Sequence, residues 1–291
     1  MAVPGPELIR TLADVAGRYD AFYVDLWGCV HDGVAPYPAA VAALRAVRAQ
    51  GRPVVLLTNS PRTAAGVAEQ LDALGLPRDC WDAIASSGEA SRAALVAGVV
   101  GRQFWHLGPD RDDSLFRDLP PGFEKVPPDR AEGIVCTGLF DDRPEPSDYR
   151  GQLLLARQRD LPMLCVNPDV VVDRGGQRMW CAGALAEVYA GMGGTVHLFG
   201  KPHPPIYDLA GRLLAGLLPG KAEPDVLAIG DGIATDIAGA LAEGLDSLFV
   251  TGGLAAAETG TNTAADPDPD RLRAFLAAHE MSPLLAIGFL R

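Results

Sequence analysis

Residues 25–33, "DLWGCVHDG", follow the apolar run "AFYV" (21–24) and decide how the rest of the chain is read. A short buried strand that ends in an acid, with a glycine three residues on, places a carboxylate at the carboxyl edge of a sheet. In open parallel sheets that edge is where ligands bind. The same pattern recurs: "PVVLLTN" (53–59) ends in Thr58 and Asn59, "DVLAIGDG" (225–232) carries Asp231, and "VHLFGKP" (196–202) runs into the Gly200–Lys201 turn.

Between these strands lie segments with helical apolar spacing. "AAVAALRAVRAQG" (39–51) and "TAAGVAEQLDALG" (63–75) each close on a glycine suited to a helix end. "DAIASSGEA" (82–90) reads as a third strand with a polar end. "FWHLG" (104–108), "GIVCTG" (133–138) and "PMLCVN" (162–167) read as strands, with "YRGQLLLARQR" as a helix between the last two. Helices follow at 182–194, 204–218 and 235–244, and a strand at 246–253, with "HPP" (203–205) marking a helix start. Strands alternating with helices predict parallel sheets joined by crossover helices. "AAAETGTNTAADPDPD" (255–270) reads as a surface loop, and "GPDRDD" (108–113) as a solvated turn rather than a calcium loop.

Composition narrows the function. The 291 residues are 48% hydrophobic and 21% charged, which fits a globular chain of one large or two smaller domains. A net charge of -12 repels a polyanion, so no nucleic-acid partner is expected, although a local pocket can still take a small anion. The five cysteines are odd in number with no CxxC pair, which predicts buried reduced thiols and a cytoplasmic setting. No secretory leader is read at the start, and no apolar run is long enough to span a membrane. A homo-oligomeric state stays open.

An acid, a hydroxyl, a lysine and further acids at strand ends suit phosphoryl chemistry. A phosphate monoester carries about two negative charges, and breaking its P–O bond needs charge neutralisation and an aligned nucleophile. A carboxylate can attack phosphorus, and hard oxygen ligands hold magnesium. Asp25 is the candidate nucleophile and metal ligand, Asp231 with Asp236 the rest of the metal site, Lys201 the phosphoryl neutraliser and Thr58 its hydroxyl donor. Each has an ordinary reading as well: strand-end acids cap helices, "TN" forms turns, and Thr235 or Asp236 can be an N-cap.

Taken in order, "DLWGCVHDG", "VVLLTNSPR", "GKPHPPIY" and "AIGDGIATDIAGA" resemble the four motifs of haloacid-dehalogenase-like (HAD) hydrolases. With "NPD" (167–169) and "CAGALAEVYAGMGG" (181–194), the chain is similar to the NagD-like and p-nitrophenylphosphatase-like branch, whose α/β cap is large (class IIA). The resemblance implies an α/β fold. A doubly wound, Rossmann-like parallel-sheet core would occupy residues 1–86 and 197–291, with a cap domain inserted at 87–196. It implies a magnesium-dependent phosphatase of a small phosphorylated metabolite, working through an aspartyl-phosphate. Asp25 is then the nucleophile, Thr58 and Lys201 its catalytic partners, and Asn59, Ser60 and Asp169 substrate contacts. Magnesium would be held by Asp25, Asp231, Asp236 and the backbone carbonyl of Trp27. One departure stands out. Phosphatases of this superfamily place a second Asp two residues after the nucleophile as acid and base, and here Trp27 stands there. An indole N–H only donates. His31 and Asp32 are the nearest substitutes in sequence. If neither serves, the chain is a phosphate-binding or catalytically weak relative.

Overall fold

The computed structural model describes residues 5–141, 144–175, 177–263 and 265–291. A seven-stranded sheet runs in the order Glu7–Leu8, Leu285–Ile287, Asp246–Val250, Val226–Gly230, Ala21–Val24, Val54–Thr58, Ala83–Ser86, all parallel. Side chains alternate across it. Phe22, Val24, Leu56 and Ile229 face helices Pro38–Ala49 and Ala64–Leu74, whereas Tyr23, Val55 and Ala228 face helix Pro204–Leu217. Burial on both faces is why these strands read as unbroken apolar runs. The chain leaves Ala21–Val24 in one direction across the sheet and comes back to its other side at Val226–Gly230. Strand order reverses between these two neighbours, which opens a crevice at their carboxyl ends. Asp25 and Asp231 are the next residues of each strand.

A second sheet, also parallel, runs Val196–Leu198, Met163–Cys165, Gly133–Cys136, Gln103–Leu107, Glu124–Lys125. Helices Arg150–Gln158 and Ala182–Gly191 cover one face through Leu153, Leu185 and Tyr189. Helix Ser87–Val96 supplies Ala94 and Leu95 to the other. Strand Val196–Leu198 pairs within this sheet, so Lys201 enters the crevice from the cap sheet and not from a core strand. A hairpin, Val171–Arg174 with Gln177–Trp180, projects from the cap.

Three local expectations change, and two edge strands are added. Strand Ala83–Ser86 stops where Ser86 Oγ accepts from Glu89 N–H, so residues 87–90 open a helix. The S-x-x-E spacing was the available signal. "GPDRDD" belongs to a 3₁₀ turn, Asp110–Phe116, with Asp112 buried near Arg62 rather than solvated. Within 255–270, helix Ala256–Thr259 forms, and buried Thr259 and Thr261 hydrogen-bond each other and Thr251. The edge strands at Glu7–Leu8 and Leu285–Ile287, too short for a periodic signal, escape a reading of the sequence.

Candidate active site

The crevice holds a buried charge cluster. Lys201 Nζ donates to Asp25 Oδ1 and to Asp236 Oδ1, each at 2.6 Å, with the lysine side chain 2% exposed. Asp25 is fixed from the backbone side by its N–H to Ile229 carbonyl (2.9 Å). Asp231 Oδ2 accepts from Leu254 N–H at 2.9 Å, and Asp236 Oδ2 from Gly232 N–H at 3.1 Å. The Asp231 carboxylate lies close against two glycines: a Cβ on Gly28 or Gly253 would sit 2.1 Å or 1.9 Å from its Oδ2. The glycine of "DLWG" is therefore needed for close approach, and its φ of 72° suits only glycine well.

Burial pushes the Asp25 carboxyl well above the usual range; Lys201 opposes this, while Asp236 and Asp231 add to it. Burial lifts Asp231 to about 7, reinforced by Asp236. Lys201 is a contest: burial disfavours the ammonium, but Asp236, Asp25 and Asp169 win and hold it well above its ordinary value. The cluster is one cation among several carboxylates. That excess of buried negative potential, with Asp25 and Asp231 ligand atoms within 4.8 Å of each other, fits a divalent cation. Cys29 shares this compact group, a position read in the sequence only as a buried thiol. Burial, with Asp231 and Asp25 nearby, drives its thiol far up, so it stays a soft neutral group beside hard oxygen ligands. Asp236 lies outside the compact group and spends its oxygens on Lys201 and Gly232.

Other expected residues fall in three places. Thr58 is buried and lines the cavity of about 270 Å³ that contains Asp25, Lys201, Asp231 and Asp236. Asn59 is buried with its amide committed: Nδ2 donates to Asp169 Oδ1 (2.8 Å) and Lys201 carbonyl (3.1 Å), and Oδ1 accepts from Lys201 N–H (2.7 Å). Ser60 lines an adjoining cavity of about 210 Å³, where Arg62, Arg111 and Arg174 gather. Asp169 reaches both cavities from the cap.

The loop that follows Asp25 offers no unengaged acid beside Trp27. Trp27 lines both cavities, its ring resting on Gly33, where a Cβ would come within 2.2 Å. His31 packs edge-on to Trp27, with Nδ1 accepting from Gly33 N–H (3.0 Å) and Nε2 buried without a partner. Burial drives its pKa down to about 4. Asp32 borders the cavity, but its Oδ1 accepts from Val34 and Ala35 N–H, both at 2.8 Å. Those donors hold it below the usual carboxylate range. All five cysteines are free and buried. No helix among the described residues is long and apolar enough to cross a membrane.

Comparison with known proteins places this geometry. Residues 22–120 match the haloacid dehalogenase-like hydrolases, and residues 198–274 match a second family, HAD-hydrolase-like. A haloacid dehalogenase-like hydrolase from Brucella suis 1330 is 38% identical with a TM-score of 0.84, over 99% of this chain and 100% of that one. A p-nitrophenyl phosphatase from Archaeoglobus fulgidus shares the fold at 21% identity and a TM-score of 0.68, over 93% and 96% of the two chains. The D-glycerol 3-phosphate phosphatase of Mycobacterium tuberculosis (strain ATCC 25618 / H37Rv) is 28% identical over 95% of this chain and 76% of its own length. With its charge cluster at the reversal of strand order and its second sheet set over it, the chain belongs to the haloacid dehalogenase-like hydrolases.

Proposed function

We propose that this hydrolase is a phosphatase of small phosphomonoesters, with Asp25 as nucleophile and an aspartyl-phosphate as intermediate. The observation that carries the reading is the 2.6 Å contact of a buried Lys201 with Asp25, beside Asp231, at the sheet's reversal point. Lys201 keeps Asp25 ionised against burial and offers a positive charge to phosphoryl oxygens. Thr58 and the backbone N–H groups of the glycine turns supply neutral donors. Asp25 and Asp231, with the Trp27 carbonyl as the third oxygen in the resemblance, would hold magnesium, and Asp236 would orient Lys201. Bound magnesium supplies charge neutralisation at the phosphoryl group. The leaving group would extend under the cap, which excludes water and selects among substrates. Its free thiols suit the cytoplasm, and its acidic surface suits a small metabolite over a nucleic acid.

Trp27 favours one second reading, a phosphate-ligand binder with little turnover. A hydrolysis screen with and without magnesium separates them, run over sugar phosphates, glycerol phosphate, nucleotides, pyridoxal phosphate and p-nitrophenyl phosphate. Magnesium-dependent phosphate release from at least one ester is expected. Tight binding of inorganic phosphate with no release from any ester would favour the second reading.

A further inference from the structure

The reaction needs a proton for the leaving oxygen and then a base for water, and the nucleophile loop offers neither. His31 is sealed away from the cavity and Asp32 is turned onto its own loop. Among the remaining groups bordering the cavity, Tyr37 is pushed up to about 12 by burial, and Asp173 is held in two contacts of 2.9 Å by Arg178. Asp25, Asp231 and Asp236 are engaged with Lys201 or form the metal group. One acid is left.

We propose that Asp169, carried by the cap, is the general acid and base that the nucleophile loop lacks. This rests on the phosphatase reading above. Asp169 borders the catalytic cavity, the adjoining one at Ser60 and a third of about 460 Å³ lined by Val196, Leu198 and Thr235, so it stands where the phosphoryl site meets the space for a leaving group. Its Oδ1 accepts from Asn59, and no described residue donates to Oδ2. Its backbone is fixed on both sides. Asp169 N–H donates to Asn167 Oδ1 (3.0 Å), and its carbonyl accepts from Gly183 N–H (3.0 Å). Gly183 is glycine because a Cβ there would lie 2.2 Å from Pro168 carbonyl and 2.5 Å from that of Asp169.

The groups facing Asp169 are Lys201, Asp231 and Asp236 from around the phosphoryl site, with the thiols of Cys165 and Cys181 on the cap side. Burial raises Asp169 to about 6, against the opposing pull of Lys201 and the Asn59 hydrogen bond. A carboxyl near that value can both give and take a proton close to neutrality. Asn59 is the positioning residue. It joins the cap acid to the Lys201 loop, so the acid arrives only when the cap lies over the core.

The step balances. An Asp25 oxygen bonds to phosphorus as the P–O bond to the leaving group breaks, and the leaving oxygen takes the bonding pair and the Asp169 proton. The Asp169 carboxylate then takes a proton from water as the water oxygen bonds to phosphorus. The Asp25–phosphorus bond breaks, Asp25 regains its electron pair and Asp169 is again protonated.

The test is rapid-mixing kinetics of wild type and Asp169→Asn on p-nitrophenyl phosphate and glycerol 3-phosphate, with magnesium, across pH. A nitrophenolate leaves without a proton and an alkoxide does not. The variant should release glycerol ~10²–10⁴-fold more slowly. Its nitrophenol release should change less than about 10-fold, as a burst before a slow phase. Wild type should show no such burst, and the alkaline limb of its glycerol ester profile should vanish in the variant. Equal losses for both esters with an unchanged pH profile would mean that Asp169 only holds substrate, and would overturn the proposal. Should the amide variant fail to fold, Asp169→Ala with added formate replaces it. Formate-dependent recovery of glycerol release is expected, and its absence from folded protein overturns the assignment. If wild type cleaves neither ester nor any in the wider screen, the phosphatase reading itself falls, which is seen before any variant is compared.

Discussion

In the core sheet, the acids after strands Ala21–Val24 and Val226–Gly230 are clamped: Asp25 by a buried ammonium and Asp231 by a backbone N–H and two close glycines. In the cap sheet, strand Met163–Cys165 also ends in a polar loop, yet its acid, Asp169, meets the core through one amide of Asn59. The same strand-to-loop device thus serves two ends. Charged contacts in low dielectric hold the core acids in one arrangement, while a single hydrogen bond to a neutral donor is worth about 1 kcal/mol and can open and close. In the proposed reaction, the chemistry that must stay put sits in the core, and the acid that arrives with the substrate is carried by the cap.

That contrast breaks most sharply at Asp25. Asp25→Asn keeps the side chain's shape but removes the proposed nucleophile and one charged partner of Lys201. Turnover should fall on the order of 10⁴-fold or more, as for loss of other enzymatic nucleophiles. Phosphate release by folded variant at near wild-type rate would dismiss the covalent route.

The two other core acids should differ from each other. Magnesium titrations of activity should need far more metal for Asp231→Ala than for Asp236→Ala, since Asp231 belongs to the compact group and Asp236 acts through Lys201 and Gly232. For Asp236, an outer partner, roughly 10- to 100-fold weaker metal use is expected. A reversed order would exchange the two roles.

At the cap, Asn59→Ala removes the one amide that joins Asp169 to the Lys201 loop. A loss of about 10-fold in kcat follows if the hydrogen bonds are worth 1–2 kcal/mol. Faster amide exchange around residues 167–170 should accompany it. Unchanged exchange and kcat would show that the cap closes without this contact.

The smallest effect on activity is expected at His31. Its folded pKa lies near 4 against an ordinary 6.5, so between those values the unfolded chain binds a proton that the folded one refuses. Stability should be complete above about pH 6.5 and fall as pH drops toward 4, by up to about 3 kcal/mol from this group. His31→Asn, whose Oδ1 can replace Nδ1 as acceptor for Gly33 N–H, should flatten that slope in denaturant titrations and leave turnover at pH 7 within a few-fold. A sharp drop in turnover would instead put His31 into the chemistry.

Much of this architecture is written locally. Runs such as "AFYVD" and "VVLLTN" show buried strands by their unbroken apolar character, and their polar ends mark the functional edge of a parallel sheet. Asp25, Thr58, Lys201 and Asp231 could be picked out because each sits at or just beyond a strand's end, and Asp236 because it lies in the helical turn that follows Asp231. The misreadings are local too: "DAIASSGEA" hides a cap at Ser86, and "GPDRDD" looks solvated because nothing nearby says that Arg62 will cover Asp112.

What the sequence could not decide depends on partners far along the chain. Asn59 meets Asp169 across 110 positions, and Lys201 meets Asp25 across 176. Nothing in "NPD" shows that its acid will lie half-buried against the core, and nothing in "VHLFGKP" shows that its strand joins the cap sheet. The sequence by itself determined which groups exist and which strand ends present them, because periodicity and chain direction act over a few residues. Only the tertiary structure decided their protonation and pairing. Burial by distant segments set His31 neutral and raised Asp169, and those contacts leave no trace in local spacing.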